Sequence, residues 1–231
     1  EDIVSVTHGI SELLSEEGSF VFEVHWVGTL LEKLQFPFVY HEHIYYYTLK
    51  SLMKLLDLHG LKVYDITSVD IHGGSIRVYS CKKNFKEVSD NVGKFLSMEK
   101  SLGLHTYERY ERFKNDIHNY RKDFINLLAR LKKAGKRVIG YGASGQSTTF
   151  LNLLSIDSSL VEFIVDDSPL KIGNYCPGTH LEIKSKECIN EDTDIVIIFA
   201  YTFLSDILKN IGTCGYVIPL PNLEYVKSTK K

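Results

Sequence analysis

Eight consecutive residues, Tyr40-His41-Glu42-His43-Ile44-Tyr45-Tyr46-Tyr47, place two imidazoles, a carboxylate and four phenols directly ahead of a helical pattern over 48–59. Histidine exchanges a proton near neutral pH, and a neighbouring carboxylate can orient the ring and raise its basicity. The set suits general acid–base work, with His43, Glu42 and Tyr40 as candidates. Two plainer readings compete. The tyrosines could pack into a core while the imidazoles cap the helix or meet solvent. His41 and His43 could share a metal, but alternate residues on an extended chain need ligands from elsewhere, and no His-Glu-x-x-His is present. His72, before the Gly73-Gly74 turn, is a further polar candidate.

A second stretch, Gly140-Tyr141-Gly142-Ala143-Ser144-Gly145, has the spacing of a dinucleotide loop. Such glycines allow a tight turn and a close backbone approach, and the following helix presents N–H groups to a phosphate. Asp166 lies about 20 residues on, where that motif carries a ribose-binding acid. The spacing alone suggests NAD(P). The domain is short for a full dinucleotide fold, however, and the loop runs into Gln146-Ser147-Thr148-Thr149, whose hydroxyls suit a phosphate or a sugar equally. Nucleotide or sugar-nucleotide binding therefore leads. Glycines used only for helix–strand packing are the structural alternative.

These stretches need scaffolds. The pattern over 2–14 is helical, Glu16-Glu17-Gly18 stops it, and 19–24 read as a strand, half of a parallel α/β unit whose other strands are not in this sequence. Residues 28–39 form an irregular or short-helical connection, and the helix after the His/Tyr cluster closes at Gly60. An antiparallel pair over 61–81 then forms one edge of the same sheet. A polar helical segment from Asn84 breaks at Gly103. The longer helix beyond carries a stripe of Tyr107, Tyr110, Phe113, Ile117, Tyr120, Phe124, Leu127 and Leu131. That stripe suits a connecting helix, with a coiled-coil dimer seam as the alternative. From Lys136 onward, strands at 137–141, 161–165, 195–200 and 216–219 alternate with helices as a parallel β/α domain.

Bulk properties narrow the function. A chain of 231 residues, 44% hydrophobic and 24% charged, is ordinary for a globular protein. A net charge of -2 argues against a nucleic-acid partner. No apolar run approaches membrane-spanning length, and no signal peptide opens the chain, so the cytoplasm is expected. Cys81, Cys176, Cys188 and Cys214 lie far apart without C-x-x-C, suggesting neither zinc knuckle nor redox motif. The first methionine is Met53 and the chain opens inside a helical pattern, so a longer protein with a further N-terminal part is expected.

Four motifs occur here in order: Tyr40-His41-Glu42-His43 with Tyr46, His72-Gly73-Gly74-Ser75-Ile76-Arg77-Val78, Gly140-Tyr141-Gly142-Ala143-Ser144, and Pro177-Gly178-Thr179-His180. Together they resemble the S-adenosylmethionine-dependent sugar C-methyltransferases, which act on nucleotide-linked 4-keto-deoxysugars. The resemblance implies an α/β protein: a partial class I methyltransferase (Rossmann-like) sheet over 1–83, a linking helical segment over 84–135, and a second small Rossmann-like parallel α/β domain over 136–231. His43 would match the base that removes the proton alpha to the ketone, with Glu42 and Tyr40 orienting it and binding the sugar. The enolate would attack the methyl of the sulfonium. Gly140, Gly142, Ser144, Gly145, Ser147, Asp166 and Thr179 would serve the nucleotide-sugar, most plausibly a TDP-sugar. Members of the family carry a zinc segment and an S-adenosylmethionine loop upstream. Neither is in this sequence, and Gln146 replaces an often basic residue. Without that loop, these 231 residues are expected neither to bind S-adenosylmethionine well nor to methylate.

Overall fold

A computed structural model describes residues 2–71 and 73–228. In chain order the elements are α1 (Ile3–Leu13), β1 (Ser19–His25), α2 (Val27–Glu32), α3 (Leu49–Asp57), β2 (Leu61–Val69), β3 (Ser75–Lys82), α4 (Asp90–Ser101), α5 (Tyr107–Lys133), β4 (Val138–Tyr141), α6 (Gly145–Leu154), β5 (Ile164–Val165), β6 (Ile183–Lys184), β7 (Ile195–Ile198), α7 (Leu204–Ile211), β8 (Gly215–Ile218) and β9 (Glu224–Val226). They divide into two units. The first holds the described residues up to Glu32 together with Glu42–Lys114; the second holds Lys33–His41 and the described residues from Asn115 onward.

The first unit is built on a sheet of order β1-β3-β2 among the described residues, antiparallel throughout. The expected pairing of 61–81 at the edge of the first strand's sheet is therefore present: Ser19 lies opposite Cys81 and His25 opposite Ser75. Gly74 closes the turn before β3 at φ 131°, and a β-carbon there would sit 2.5 Å from the Thr29 methyl, so only glycine fits. In α1 the apolar residues do not all face inward. Val6 and Leu13 are exposed while Thr7 and Ser11 are buried. The buried hydroxyls are satisfied, Thr7 donating to the Ile3 carbonyl and Ser11 to that of His59, so burying them costs little.

The second unit has the sheet order β6-β5-β4-β7-β8-β9, parallel except for β9. All residues of β4 and β7 are buried, as central parallel strands covered on both faces must be. Two of these strands, β6 and β9, are only two and three residues long and lack a readable alternation. On one face Phe150 of α6 anchors an aromatic cluster, its ring centroid 5.5 Å from Phe36, 5.1 Å from Phe124 and 5.4 Å from Phe199. Phe36 lies in a one-turn 3-10 helix, Phe36–Phe38, and this packing brings 33–41 into the second unit. The stripe on α5 is buried at Phe124, Leu127 and Leu131, but Tyr107 is 73% exposed. The helix serves the first unit with its opening turns and the second with the remainder, so its stripe is not one seam.

Candidate active site

The His/Tyr segment meets the first unit's sheet at its last residue, just past the end of β1. Directly after β1, Trp26 forms a parallel bridge with Tyr47, and the Val27 N–H donates to the Tyr47 carbonyl at 3.0 Å. A side chain at Gly28 would collide with the Trp26 ring, so glycine there lets the indole lie flat. After Tyr47 the chain enters α3 through a reciprocal cap. The Thr48 hydroxyl accepts from the Ser51 N–H and the Ser51 hydroxyl from the Thr48 N–H, both at 3.1 Å. His43 is half-buried, Glu42 and Tyr46 are exposed, and the Tyr45 and Tyr47 rings lie 6.2 Å apart. Burial first, then the Tyr45 phenol, raises the Tyr47 pKa.

Glu42 and His43 belong to the first unit and Tyr40 to the second. The Tyr40 ring lies at T-shaped geometry to that of His41, and a β-carbon on Gly145 would be 3.2 Å from its edge. His72 lies outside the described residues. Among the described residues no group of three His, Cys, Asp or Glu side chains is placed to hold a metal ion.

Behind the bridge sits a residue without a signal of its own in the sequence. Glu99, on the last turn of α4, is completely buried. Its Oε1 accepts from the Trp26 indole N–H at 2.9 Å and the Leu49 N–H at 2.5 Å, and Oε2 accepts from the Lys50 N–H at 3.3 Å. His105 Nε2 is 3.4 Å from Oε2. A clue existed: Val92, Phe95 and Glu99 fall on one helical face, all buried, so this acid stands where an apolar residue is expected.

In the second unit the glycine loop lies at the carboxyl end of β4, beside the end of β7, where the strand order reverses. Gly142 has φ 99°, and a β-carbon would lie 2.9 Å from that of Ala200; one on Gly140 would lie 2.8 Å from the Phe199 ring. Ser144 and Ser147 cap α6 reciprocally, and Ser147 is buried. Asp166 is turned onto the loop itself. Its Oδ2 accepts from the Ala143 N–H at 2.7 Å and pairs with Lys171 at 3.1 Å, while Oδ1 accepts from the Ser168 N–H. The space among Pro37, Gln146, Ser147, Phe150, Phe199, Tyr201, Pro219 and Leu220 is about 10 Å³, room for no more than one water. Thr179 lies on the loop before β6, its Oγ1 buried without a hydrogen-bond partner among the described residues; the neighbouring Pro177 carbonyl accepts from Asn152 of α6.

A polar network lies on the other face. The buried Tyr141 hydroxyl donates to Asp167 at 2.9 Å and accepts from Asn210 at 3.0 Å, and Asp167 pairs with Lys186 at 3.0 Å. Burial, and then the Asp167 bond, pushes the Tyr141 phenol up to about 12. Burial works to raise the Asp167 carboxyl, but its bonds with Lys186 and Tyr141 hold it below its ordinary value.

Residues 70–221 match the family described as the C-methyltransferase C-terminal domain, and the chain belongs to that family. It is also similar to the C-methyltransferase NovU of Streptomyces niveus, with 31% identity over 227 residues, 95% of this chain and 54% of that protein. The chain thus spans about half the length of the relative it matches.

Family membership implies S-adenosylmethionine in general. Among the described residues of the first unit, no strand runs into a glycine-rich turn and helix. In the second, the loop of that type is packed against Ala200 and Tyr40, and its acid is engaged by Ala143 and Lys171.

Proposed function

We propose that this chain supplies the proton-abstracting and substrate-holding portion of an S-adenosylmethionine-dependent C-methyltransferase acting on a nucleotide-linked keto-deoxysugar, a TDP-sugar. The observation that carries the reading is the placement of His43. It sits half-buried on an irregular segment that runs into the Trp26–Tyr47 bridge and then the capped start of α3. A carbon acid alpha to a ketone is weak, so its base must be held in place and the resulting enolate stabilised. His43 takes that proton in this proposal. Glu42 and Tyr40 are its companions, orienting the base and meeting the sugar. The methyl group comes from S-adenosylmethionine held outside these residues, so the chain alone deprotonates without methylating.

In the second unit, Gly140, Gly142, Ser144, Gly145, Ser147 and Asp166 shape the start of α6, whose backbone N–H groups suit a diphosphate. Thr179 adds a hydroxyl that no other described residue engages. The nearly filled crevice favours a second reading for this unit alone, in which the glycines serve only strand–helix packing. An NAD(P)-dependent oxidoreductase is disfavoured, because Asp166 is committed to its own loop.

The test is deuterium entry from D2O into the carbon alpha to the ketone of a TDP-4-keto-deoxysugar, which needs the base but not the methyl donor. Incorporation by the chain, abolished in His43→Ala, is expected; incorporation unaffected by that substitution refutes the reading. Calorimetric titration with TDP decides between the two readings of the second unit, and heat from NADH instead would revive the oxidoreductase.

A further inference from the structure

The Glu99 pocket carries the argument furthest. An ionised carboxylate without solvent is costly unless donors surround it, and Glu99 has three N–H donors and an imidazole. Their arrangement is informative. One donor, the Trp26 indole, hangs from the strand leaving β1. The others, the Leu49 and Lys50 N–H groups, are the first two of α3, where the helix dipole favours an anion. The Thr48–Ser51 cap satisfies the Ser51 N–H, one further along, so the two caps divide the helix start between them.

Glu99 therefore grips both chains of the Trp26–Tyr47 bridge, one by a side chain and the other by its backbone. Between that bridge and the imidazole of His43 lie three residues, Ile44, Tyr45 and Tyr46, outside any helix or strand. Trp26 packs in turn on Phe95 of the same helix as Glu99, ring centroids 4.9 Å apart, so α4 clamps the indole by ring and by carboxylate.

We infer that Glu99 is a positioning residue: the buried carboxylate caps α3 from another helix, ties it to the end of β1, and so sets where His43 stands. This rests on the reading of His43 as the base. A misplacement of about 1 Å in such a group costs about 100-fold in rate without a change in substrate affinity. Glutamine keeps the size of Glu99 but has one oxygen where the carboxylate has two, and its NH2 faces N–H donors.

The test uses the full chain with Glu99→Gln, and with Trp26→Phe as a milder second variant should the first fold poorly. The readouts are deuterium entry into a TDP-4-keto-deoxysugar, amide exchange by peptide and, for Glu99→Gln, emission of Trp26, the only tryptophan. For Glu99→Gln the maximal rate of deuterium entry falls about 100-fold with KM within about twofold. Amide exchange rises over 42–50 but not in β2 or β3, and Trp26 emission shifts. An unchanged rate overturns the proposal. So does a fall in rate accompanied by general loss of protection across the first unit, which would mark Glu99 as structural only. If the wild-type chain takes up no deuterium, the reading of His43 fails separately. Faster exchange confined to 42–50 then keeps the positioning role, and its absence removes it.

Discussion

The two units hold their strand-end segments in opposite ways. In the first, the segment before α3 is held at its end: Glu99 bonds Trp26 and the Leu49 N–H, the Thr48 cap opens α3, and Ile44, Tyr45 and Tyr46 are exposed. In the second, the glycine loop is held from within. Asp166 ties its backbone, Ser144 and Ser147 satisfy each other, and Phe36, Pro37 and Tyr40 lie against the start of α6. Spacing that fits a nucleotide loop is thus compatible with glycines required by close packing of the protein on itself. The His/Tyr segment, by contrast, keeps Ile44, Tyr45 and Tyr46 exposed.

Substitutions in the loop sharpen this contrast. Gly142→Ala has the largest expected effect on stability, about 3 kcal/mol, combining a left-handed φ with a collision against Ala200. Urea unfolding measures it, and a loss below about 1 kcal/mol would mean that the loop has room the packing denies. Asp166→Ala comes next, at about 2 kcal/mol, because the buried Ala143 N–H loses its acceptor and Lys171 its partner. TDP affinity should stay within a few-fold; a matched loss of affinity would return Asp166 to the ligand. For Gly145→Ala the expected change is within about 0.5 kcal/mol, since alanine's better helix propensity offsets a ring edge at 3.2 Å that can give way.

The smallest effect is chemical. Cys176 is buried, and burial, followed by the Asp166 charge, pushes its thiol up to about 11. It stays protonated at pH 8, and protonated thiols are poor nucleophiles. Half-buried Cys188 should therefore react first with a thiol reagent, ahead of Cys81, Cys176 and Cys214. Early labelling of Cys176 would mean that the loop between β5 and β6 opens readily.

The sequence made visible what short-range rules govern. Gly60 and Gly103 end helices with φ 72° and 70°, α3 starts next to the His/Tyr cluster, and the β2–β3 pair follows its glycine turn. Apolar runs such as Ile195–Ile198 marked the buried parallel strands. What stayed hidden depends on distant partners. Glu99 reads as one more acid on a polar helix until Trp26, 73 positions earlier, is placed against it. The recruitment of Phe36–Phe38 to α6 likewise rests on an aromatic cluster assembled from four separated segments. Asp166 sits at the sequence distance of a ribose ligand, yet its direction is set by Ala143 and Lys171.

The most direct measurement compares deuterium entry into a TDP-4-keto-deoxysugar for the wild-type chain and His43→Ala, without S-adenosylmethionine. A positioned general base contributes about 10²- to 10⁴-fold, so the account predicts incorporation at the alpha carbon that falls at least about 100-fold in the variant. Equal incorporation by both, or none above buffer by the wild type, would contradict it.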